Sequence, residues 1–447
     1  MKEHVISFVL KALNTAGYEA YLVGGAVRDR LMNRAVHDID ITTSALPQEI
    51  GHVFSDFDVI PTGESHGTVT VVVDGEPVEI TTFRTEEGYS DNRHPDKVEF
   101  TESLDKDLSR RDFTMNAIAM DADGILSDPF LGRADIENGV IRCVGEAEVR
   151  FKEDSLRILR ALRFSSELGF SIEKRTKGAI FGSAALLRNL SSERICSELS
   201  RLLCGKNAAS VLLEYGSVIA VILPCISKMI GFEQHNVHHC FDVYEHSVNV
   251  LKNVRPVLYM RLAALLHDCE KPSCFSLDES GMGHFYGHAP KGADLAFSEL
   301  KRLRFDNETV DKTVKLIRIH DSPIECDIKT VKRKLNRLGK ETFFDLVELQ
   351  RADNLAQAEQ YRFRQENFDR LEELANEVIA ADECFSLKKL AVNGHDMIDM
   401  GLSGKSIGEM LERLLNCVID GSVENEHDKL VIKATEYKEK FVGFEKK

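Results

Sequence analysis

The sequence predicts an α+β protein, a mixed head followed by a long all-α remainder. Three observations carry this. Residues 1–145 alternate helical spacing with β-rich runs. The stretch HGTVTVVVDGEPVEITTF, residues 66–83, reads as a hairpin of two β-rich runs about an Asp74-Gly75 turn. Beyond about residue 146 few convincing strands remain. There Leu, Ile and Ala recur at helical spacing to the end, interrupted by Gly and Pro near 223–231, 271–292 and 401–408.

The whole chain narrows the class. At 447 residues it is too long for one core, and length alone suggests about three domains. Hydrophobic content of 43% with 29% charged residues is that of a soluble globular protein. No run approaches the roughly 18 apolar residues of a membrane span, so no membrane partner is expected. The first twenty residues read as an amphipathic helix rather than a signal peptide. The ten cysteines are scattered without CxxC pairs, which argues against a zinc ribbon or a disulfide framework and suits a reducing cytoplasm. A net charge of −16 weighs against a general nucleic-acid binder. Residues 150–206 reverse that balance locally, with twelve Arg/Lys against six Asp/Glu, and are the expected place for any grip on nucleic acid. No oligomeric interface is legible.

The first chemistry lies at 21–43, YLVGGAVRDRLMNRAVHDIDITT. An apolar run ends in Gly24-Gly25, a helix-like stretch follows, and Asp38 and Asp40 stand two apart. On a strand, residues i and i+2 share a face, so the two carboxylates point together and suit a divalent metal. The glycines allow close backbone approach to a phosphate at a helix start. Together these are the parts of a nucleotidyl-transfer centre. Glu79 in VEITTF alternates away from Val78 and Ile80 and is a third acidic group for the metal, or else a solvated strand residue. Residues 84–98, polar and without period, read as a mobile loop. RRDFTMNAIAMD at 110–121 sets two arginines and an aspartate before an apolar segment, a pattern that also fits simple surface pairing. DPFLGRADI at 128–136 reads as a turn and a helix start.

EDSLRILRALRF at 153–164 spaces Asp154, Arg157, Arg160 and Arg163 by three, a drifting stripe on one helix. Intrahelical pairing on a solvated face would account for the spacing. Base selection is the sharper reading. Cytosine and adenine present an exocyclic amine beside a ring-nitrogen acceptor, whereas guanine and uracil present a carbonyl beside a ring N–H. A carboxylate that accepts from the amine and a guanidinium that donates to the ring nitrogen would take C and A and reject G and U.

LVGGAVRD, the DxD at 38–40, RRDFTMNA, DPFLGRAD, EDSLRILRALRF and SSERICSEL run in the order of the motifs of class II tRNA nucleotidyltransferases. This resemblance is to the CCA-adding enzymes and bacterial poly(A) polymerases of the polymerase-β superfamily, and it covers roughly residues 20–200. Six ordered motifs are far more specific than a lone Gly-Gly or DxD. The resemblance implies a polymerase-β-like nucleotidyltransferase head at 1–145 and a neck for base recognition and RNA binding at 146–225. It makes Asp38 and Asp40 the catalytic Mg²⁺ ligands. Gly25 and Arg28 would contact the triphosphate, with Arg111 supporting the nucleotide. Asp154 and Arg157 would read the base, with Arg160 and Arg163 beside them. The loop at 84–98 falls where family members carry a flexible element used in the final A step. The implied activity is template-independent addition of CMP and AMP to the tRNA 3′ end from CTP and ATP. Poly(A) polymerase, or a partial enzyme adding only CC or only A, shares the same motifs.

A second constellation lies at 235–360: His246 in YEHSV, His267-Asp268 in ALLHDCEKP, His288 in GHAPKGA, His320 in RIHD and Asp353 in RADN. Histidine and aspartate on helices suit a divalent metal, and an HD pair within an apolar helix is costly to bury without a partner. The order resembles an HD-domain phosphohydrolase. That resemblance implies an HD body at 226–365 in which His246, His267, Asp268 and Asp353 bind a first metal, Mn²⁺, Ni²⁺ or similar, with His288 and His320 supporting a second. A metal phosphohydrolase with a degenerate head is the alternative from another class, and the intact DxD argues against it. Residues 391–425 resemble the tail of the same nucleotidyltransferases, which implies a helical tRNA-binding tail at 366–447 and is also a plain helical hairpin with a Gly-rich turn.

Overall fold

In the computed structural model the described residues are 2–63, 66–88, 97–236, 240–381 and 386–442. The chain divides into two compact units, Met1–Ser227 with Arg302–Phe305, and Lys228–Lys301 with Asp306–Lys447. The expected head and neck thus share one unit, while the expected body and tail share the other apart from the short piece at 302–305.

The first unit is built on a seven-stranded sheet. Helix α1 (Lys2–Thr15) buries Val5, Ile6, Val9, Leu10 and Leu13, one amphipathic stripe. Strands β1 (Ala20–Val23) and β2 (Ile39–Thr43) flank helix α2 (Gly25–Leu31) and pair antiparallel. After helix α3 (Pro47–Val53) come β3 (Asp58–Gly63), β4 (Thr68–Val73) and β5 (Glu76–Thr82). β4 and β5 form the expected hairpin, with Asp74 and Gly75 at φ +52° and +80°, the left-handed values of a tight two-residue turn. β5 then runs parallel to β2, which sets Glu79 opposite Asp40 in the ladder.

The segment expected as a loop at 84–98 begins and ends in strands. β6 (Arg84–Glu87) and β7 (Lys97–Phe100) pair antiparallel, and residues 89–96 lie outside the described residues. Backbone pairing carries this ribbon, and because no residue of β7 is buried, no inside–outside alternation marks it in the sequence. Helix α4 (Leu104–Ser109), strands β8 (Ala119–Met120) and β9 (Leu126–Ser127), and helix α5 (Gly132–Glu137) complete the sheet region. The strand order is β3-β4-β5-β2-β1-β8-β9.

Helices follow. α6 (Ala147–Glu153) is separated from α7 (Leu156–Leu168) by two residues, and α8 (Lys174–Ser183), α9 (Ser192–Cys204) and α10 (Ala208–Ile222) pack after them. The stripe expected on one helix is therefore interrupted. Asp154 caps α6 in extended backbone (φ −134°, ψ 104°), and only the arginines belong to α7. Two of the three are not solvated: Arg157 is 7% and Arg163 2% exposed, whereas the Arg160 side chain is half-buried.

Among its described residues the second unit is built of helices and one pair of two-residue strands. Its helices are α11 (Val243–Asn253), α12 (Leu258–Leu266), α13 (His288–Arg302), α14 (Asn307–Ile319), α15 (Ile328–Leu338), α16 (Lys340–Leu355) and α17 (Gln365–Ala380). Val331, Phe343, Leu371 and Val378 make one core cluster. α18 (Gly394–Asp399), α19 (Lys405–Ile419) and α20 (His427–Val442) make another around Met397, Leu414 and Leu430. Gly401 and Gly404, both at positive φ, turn the chain between α18 and α19, the expected Gly-rich turn. Among the described residues no helix is long and apolar enough to cross a membrane.

Candidate active site and metal centre

A cavity of about 430 Å³ in the first unit gathers most of the expected residues. Its walls include Gly24, Gly25, Arg28, Asp38, Asp40, Arg111, Asp154, Arg157, Arg160 and Arg163. Residues more than a hundred positions apart in sequence thus face one space of nucleotide size.

The β1–α2 turn brings the backbone to this space. Gly24 has φ +69° and ψ −135°, a region essentially closed to L side chains. A Cβ there would stand 3.3 Å from Arg111 Nη1 and 3.5 Å from Asp40 Oδ2. Asp38 lies in a bend just before β2 and Asp40 within β2; it is the shared cavity, not one strand face, that brings the two carboxylates together. Burial pushes the Asp40 carboxyl up to about 6, with Glu79 and Asp38 adding to the rise and Arg111 and Arg160 opposing it. Like charges forced together in a partly dehydrated site are what a divalent cation relieves, so the donor set fits one.

Arginines form much of the rest of the wall, and several are held by a second contact. Arg28 Nη1 donates to Asn116 Oδ1 at 2.8 Å. Arg111 pairs with Asp107 at 3.4 Å, and Asp107 also holds Arg110 at 2.8 Å and accepts from Thr42 Oγ1 at 3.1 Å. Arg160 pairs with Asp112 at 2.7 Å. Burial of Asp112 opposes ionisation, but Arg160, Asn116 and Arg157 outweigh it and hold the carboxyl down at about 2. Arg163 pairs with Glu198 at 2.6 Å. The Phe164 ring lies 4.0–5.4 Å from the guanidinium carbons of Arg28, Arg160 and Arg163, a shared aromatic platform. Asp154 and Arg157 do not pair with each other through any ion pair given by the geometry: Asp154 meets Arg194 at 3.0 Å and Arg157 meets Glu153 at 2.9 Å.

The second unit brings the histidines together. His246 is on α11 and Asp353 on α16, 2.8 Å apart. His267 and Asp268 do not lie inside the apolar helix as expected; they follow its last residue, Leu266, where the chain turns. His267 Nε2 is 3.0 Å and His246 Nε2 3.7 Å from Asp268 Oδ2. His288 Nε2 and His320 Nε2 lie 3.3 and 3.7 Å from the other oxygen, Oδ1. The Nδ1 atoms of His267, His288 and His320 meet the carbonyls of Ala264, Phe285 and Ile317 at 2.9, 2.8 and 2.7 Å. Because a carbonyl only accepts, Nδ1 carries a proton in each ring, which makes Nε2 the ligating nitrogen of the neutral imidazole. Two sets, His246-His267-Asp268 and Asp268-His288-His320, have donor atoms within 4.8 Å of one another. Asp268 is 1% exposed. Burial opposes its charge, yet His267 and Lys271 hold its carboxyl well below the ordinary carboxylate range. Buried imidazole and carboxylate donors with fixed tautomers fit a divalent cation.

A family model described as the poly A polymerase head domain matches residues 20–142. Another, the probable RNA and SrmB-binding site of polymerase A, matches 169–229, and a putative tRNA nucleotidyltransferase domain 2 matches 291–434. A curated CCA-adding enzyme of Geobacillus thermodenitrificans is 53% identical over 204 residues, 46% of this chain and 50% of that protein. The chain thus matches about half the length of the curated relatives. The crystal structure of the Bacillus stearothermophilus CCA-adding enzyme in complex with CTP is 30% identical and covers 98% of both chains at a TM-score of 0.71. The chain belongs to the class II CCA-adding enzyme family. The Thermotoga maritima CCA-adding enzyme complexed with tRNA, 21% identical with a TM-score of 0.62 over 97% of this chain, shares the fold.

Against the family motifs, every head residue carried over from them lines the one cavity. Glu79 is adjacent to Asp40 in the sheet but exposed and outside the cavity wall. Several residues had no assigned part in the sequence reading. Asp112 and Asn116 stand within RRDFTMNA and Phe164 ends EDSLRILRALRF, so the motifs contained their signal. Glu153 and Arg194 were likewise inside quoted motifs, but nothing in their spacing marked them as partners of Arg157 and Asp154.

Proposed function

We propose that this chain adds CMP and AMP, without a template, to the 3′ end of tRNA, using CTP and ATP. One observation carries the reading: a single nucleotide-sized cavity is lined both by the Asp38 and Asp40 carboxylates and by Asp154 and Arg157. Transfer chemistry and C/A selection thereby face the same ligand. Asp38 and Asp40 would hold Mg²⁺, which when bound acidifies the RNA 3′-hydroxyl and neutralises charge on the α-phosphate and the leaving pyrophosphate. Arg28 and Arg111, held by Asn116 and Asp107, take the triphosphate, with the backbone at Gly25 close by. The 3′-oxygen forms its bond to the α-phosphorus as the bond to the β-phosphate bridge breaks, and the hydroxyl proton leaves to solvent. The fixed guanidinium groups contribute mainly by positioning and by stabilising charge without reorganisation. Asp154 accepts from the exocyclic amine of C or A while Arg157 donates to the ring nitrogen. The basic segment 150–206 and the tail at 366–447 would take the tRNA. A reducing cytoplasm suits the cysteines, of which the nine described are all free.

The test is to supply labelled CTP or ATP, with Mg²⁺, to tRNA lacking CCA, lacking only the final A, or complete. The expected result is C then A addition that stops at CCA. Long A tails on varied RNAs would move the reading to a poly(A) polymerase, and addition of only CC or only A to a partial enzyme. No incorporation would overturn it.

A second reading is favoured by the histidine–aspartate cluster, which we assign to an HD-type metal phosphohydrolase centre within 226–365. His246, His267, Asp268 and Asp353 would hold the first cation, Mn²⁺ or Ni²⁺, with His288 and His320 on a second. Asp353 and His320 also face a cavity of about 430 Å³, which gives a substrate access. Hydrolysis of 2′,3′-cyclic or terminal phosphates, abolished by His267→Ala and retained in Asp38→Ala, is the expected outcome. Parallel loss in both variants would overturn two independent centres.

A further inference from the structure

Base selection by a carboxylate requires that the carboxylate be held in one orientation, and the reading of Asp154 above rests on that. A carboxylate rotating about its last torsion meets almost any base edge with some oxygen. Asp154 lies in the extended link between α6 and α7, outside both helices. Two donors restrain its carboxylate. The Leu156 N–H donates to Oδ1 at 3.0 Å. Arg194, on the first turn of α9, directs Nη2 to both oxygens, 3.1 Å from Oδ1 and 3.0 Å from Oδ2.

The contacts are uneven. Oδ1 accepts from two groups and Oδ2 from one, while each carboxylate oxygen has about two acceptor sites. Oδ2 is left with an acceptor site to offer a ligand, and Asp154 faces the cavity. Arg194 does not line that cavity, and its side chain is 21% exposed. It stands behind Asp154, placed to act through it and not on the nucleotide. Arg157 is braced in the same manner, Nη1 to Glu153 Oε2 at 2.9 Å and Nη2 to the Arg110 carbonyl at 3.0 Å.

We propose that Arg194 is a positioning residue for nucleotide selection: it fixes the plane of the Asp154 carboxylate so that a base presenting an exocyclic amine is accepted and one presenting a carbonyl is refused. The N4 amine of cytosine and the N6 amine of adenine donate to the spare site on Oδ2. The O4 of uracil and O6 of guanine would bring two acceptors face to face. Without Arg194 the carboxylate turns aside, the C and A bond weakens, and the repulsion toward U and G falls with it.

The experiment compares the full chain with Arg194→Met and Arg194→Lys on tRNA lacking CCA, measuring kcat/KM for CTP, ATP, UTP and GTP separately and KM for the tRNA. In Arg194→Met the preference for CTP over UTP is expected to fall by between about 5-fold and 150-fold, the range of one good base contact. Arg194→Lys, with a single charged head, should restore part of it, and KM for tRNA should stay unchanged. Equal losses with CTP and UTP, leaving the preference intact, would overturn the proposal. So would a rise in KM for tRNA alone, which would make Arg194 an RNA contact. Failure of the unmodified chain to incorporate CTP or ATP would instead overturn the nucleotide-addition reading beneath it. Thermal unfolding of each variant identifies a misfolded one, and Arg194→Gln then carries the test.

Discussion

The two candidate metal centres of this chain are built on opposite plans. In the first unit, Asp38 and Asp40 line a cavity rich in arginine, Asp38 itself being exposed. In the second, His246, His267 and Asp268 are at most 1% exposed, and backbone carbonyls three residues earlier in the chain orient three of the four clustered imidazoles. Oxygen donors that include an exposed carboxylate suit a hard cation that arrives and leaves with a nucleotide, and the surrounding guanidinium groups answer the phosphate charge that comes with it. Nitrogen-rich donors that are mostly buried suit a resident, more tightly held cation. Burial therefore separates two sites that the residue types alone would group together as metal-ligating.

The sharpest test of this contrast is a pair of variants. Asp40→Ala should lower nucleotide incorporation by on the order of 10³-fold, as loss of a principal electrostatic element does, measured as labelled CMP transferred to tRNA lacking CCA. Asp268→Asn should leave that rate unchanged and lower the number of tightly bound Mn²⁺ ions measured by equilibrium dialysis. If Asp268→Asn left the bound Mn²⁺ unchanged, the second centre would not be a metal site.

Resident metal also stabilises. If the second unit holds its cation at about 100 times the dissociation constant, chelation should cost about 2.7 kcal/mol in that unit's unfolding free energy. Chelator-dependent unfolding that is lost in His267→Ala would sharpen the contrast; equal chelator sensitivity in Asp40→Ala and His267→Ala would break it.

The head relies instead on fixed ion pairs, and these have a pH signature. The Asp112 carboxyl is depressed from 3.8 to about 2. A depressed acid stabilises the fold fully above its unfolded value and loses that contribution as pH falls through the folded one. Asp112 should accordingly contribute about 2 kcal/mol above pH 4, lost between pH 4 and 2. The stability difference between the native chain and Asp112→Asn in denaturant titrations should shrink across that window, and a flat difference would refute it.

Smaller effects refine the edge of the cavity. Gly24→Ala forces a side chain into a backbone region costing about 1–3 kcal/mol and presses on Arg111, so stability should drop and KM for CTP should rise several-fold. Glu79→Gln should change the incorporation rate by less than about twofold, since Glu79 is exposed and outside the cavity wall; a loss near 10²-fold would restore it as a metal ligand.

Much of the head was legible because its signals are local. Asp40 on its strand and Asp38 two residues before it share one short segment, and Asp74-Gly75 follows from the dihedral demands of a tight turn, and neither needs a distant partner. The paired arms at 84–87 and 97–100 left no such signal, because a ribbon held by its backbone imposes no alternation on its side chains. Asp154 and the arginines after it were read as one helical stripe, whereas the chain breaks the helix at Asp154 and buries the arginines against Asp112, Glu153 and Glu198. The residue types and their order along the chain determined the chemistry on offer: carboxylates for a metal, arginines for phosphate, histidines with aspartates for a second cation. Only the tertiary structure decided their geometry. It alone set Arg194 behind Asp154, turned each clustered imidazole Nε2 toward Asp268, and left Glu79 outside the cavity. Arg194 meets Asp154 from 40 positions away and His246 meets Asp353 from 107, and the energy of such contacts depends on distance and burial that no local pattern encodes.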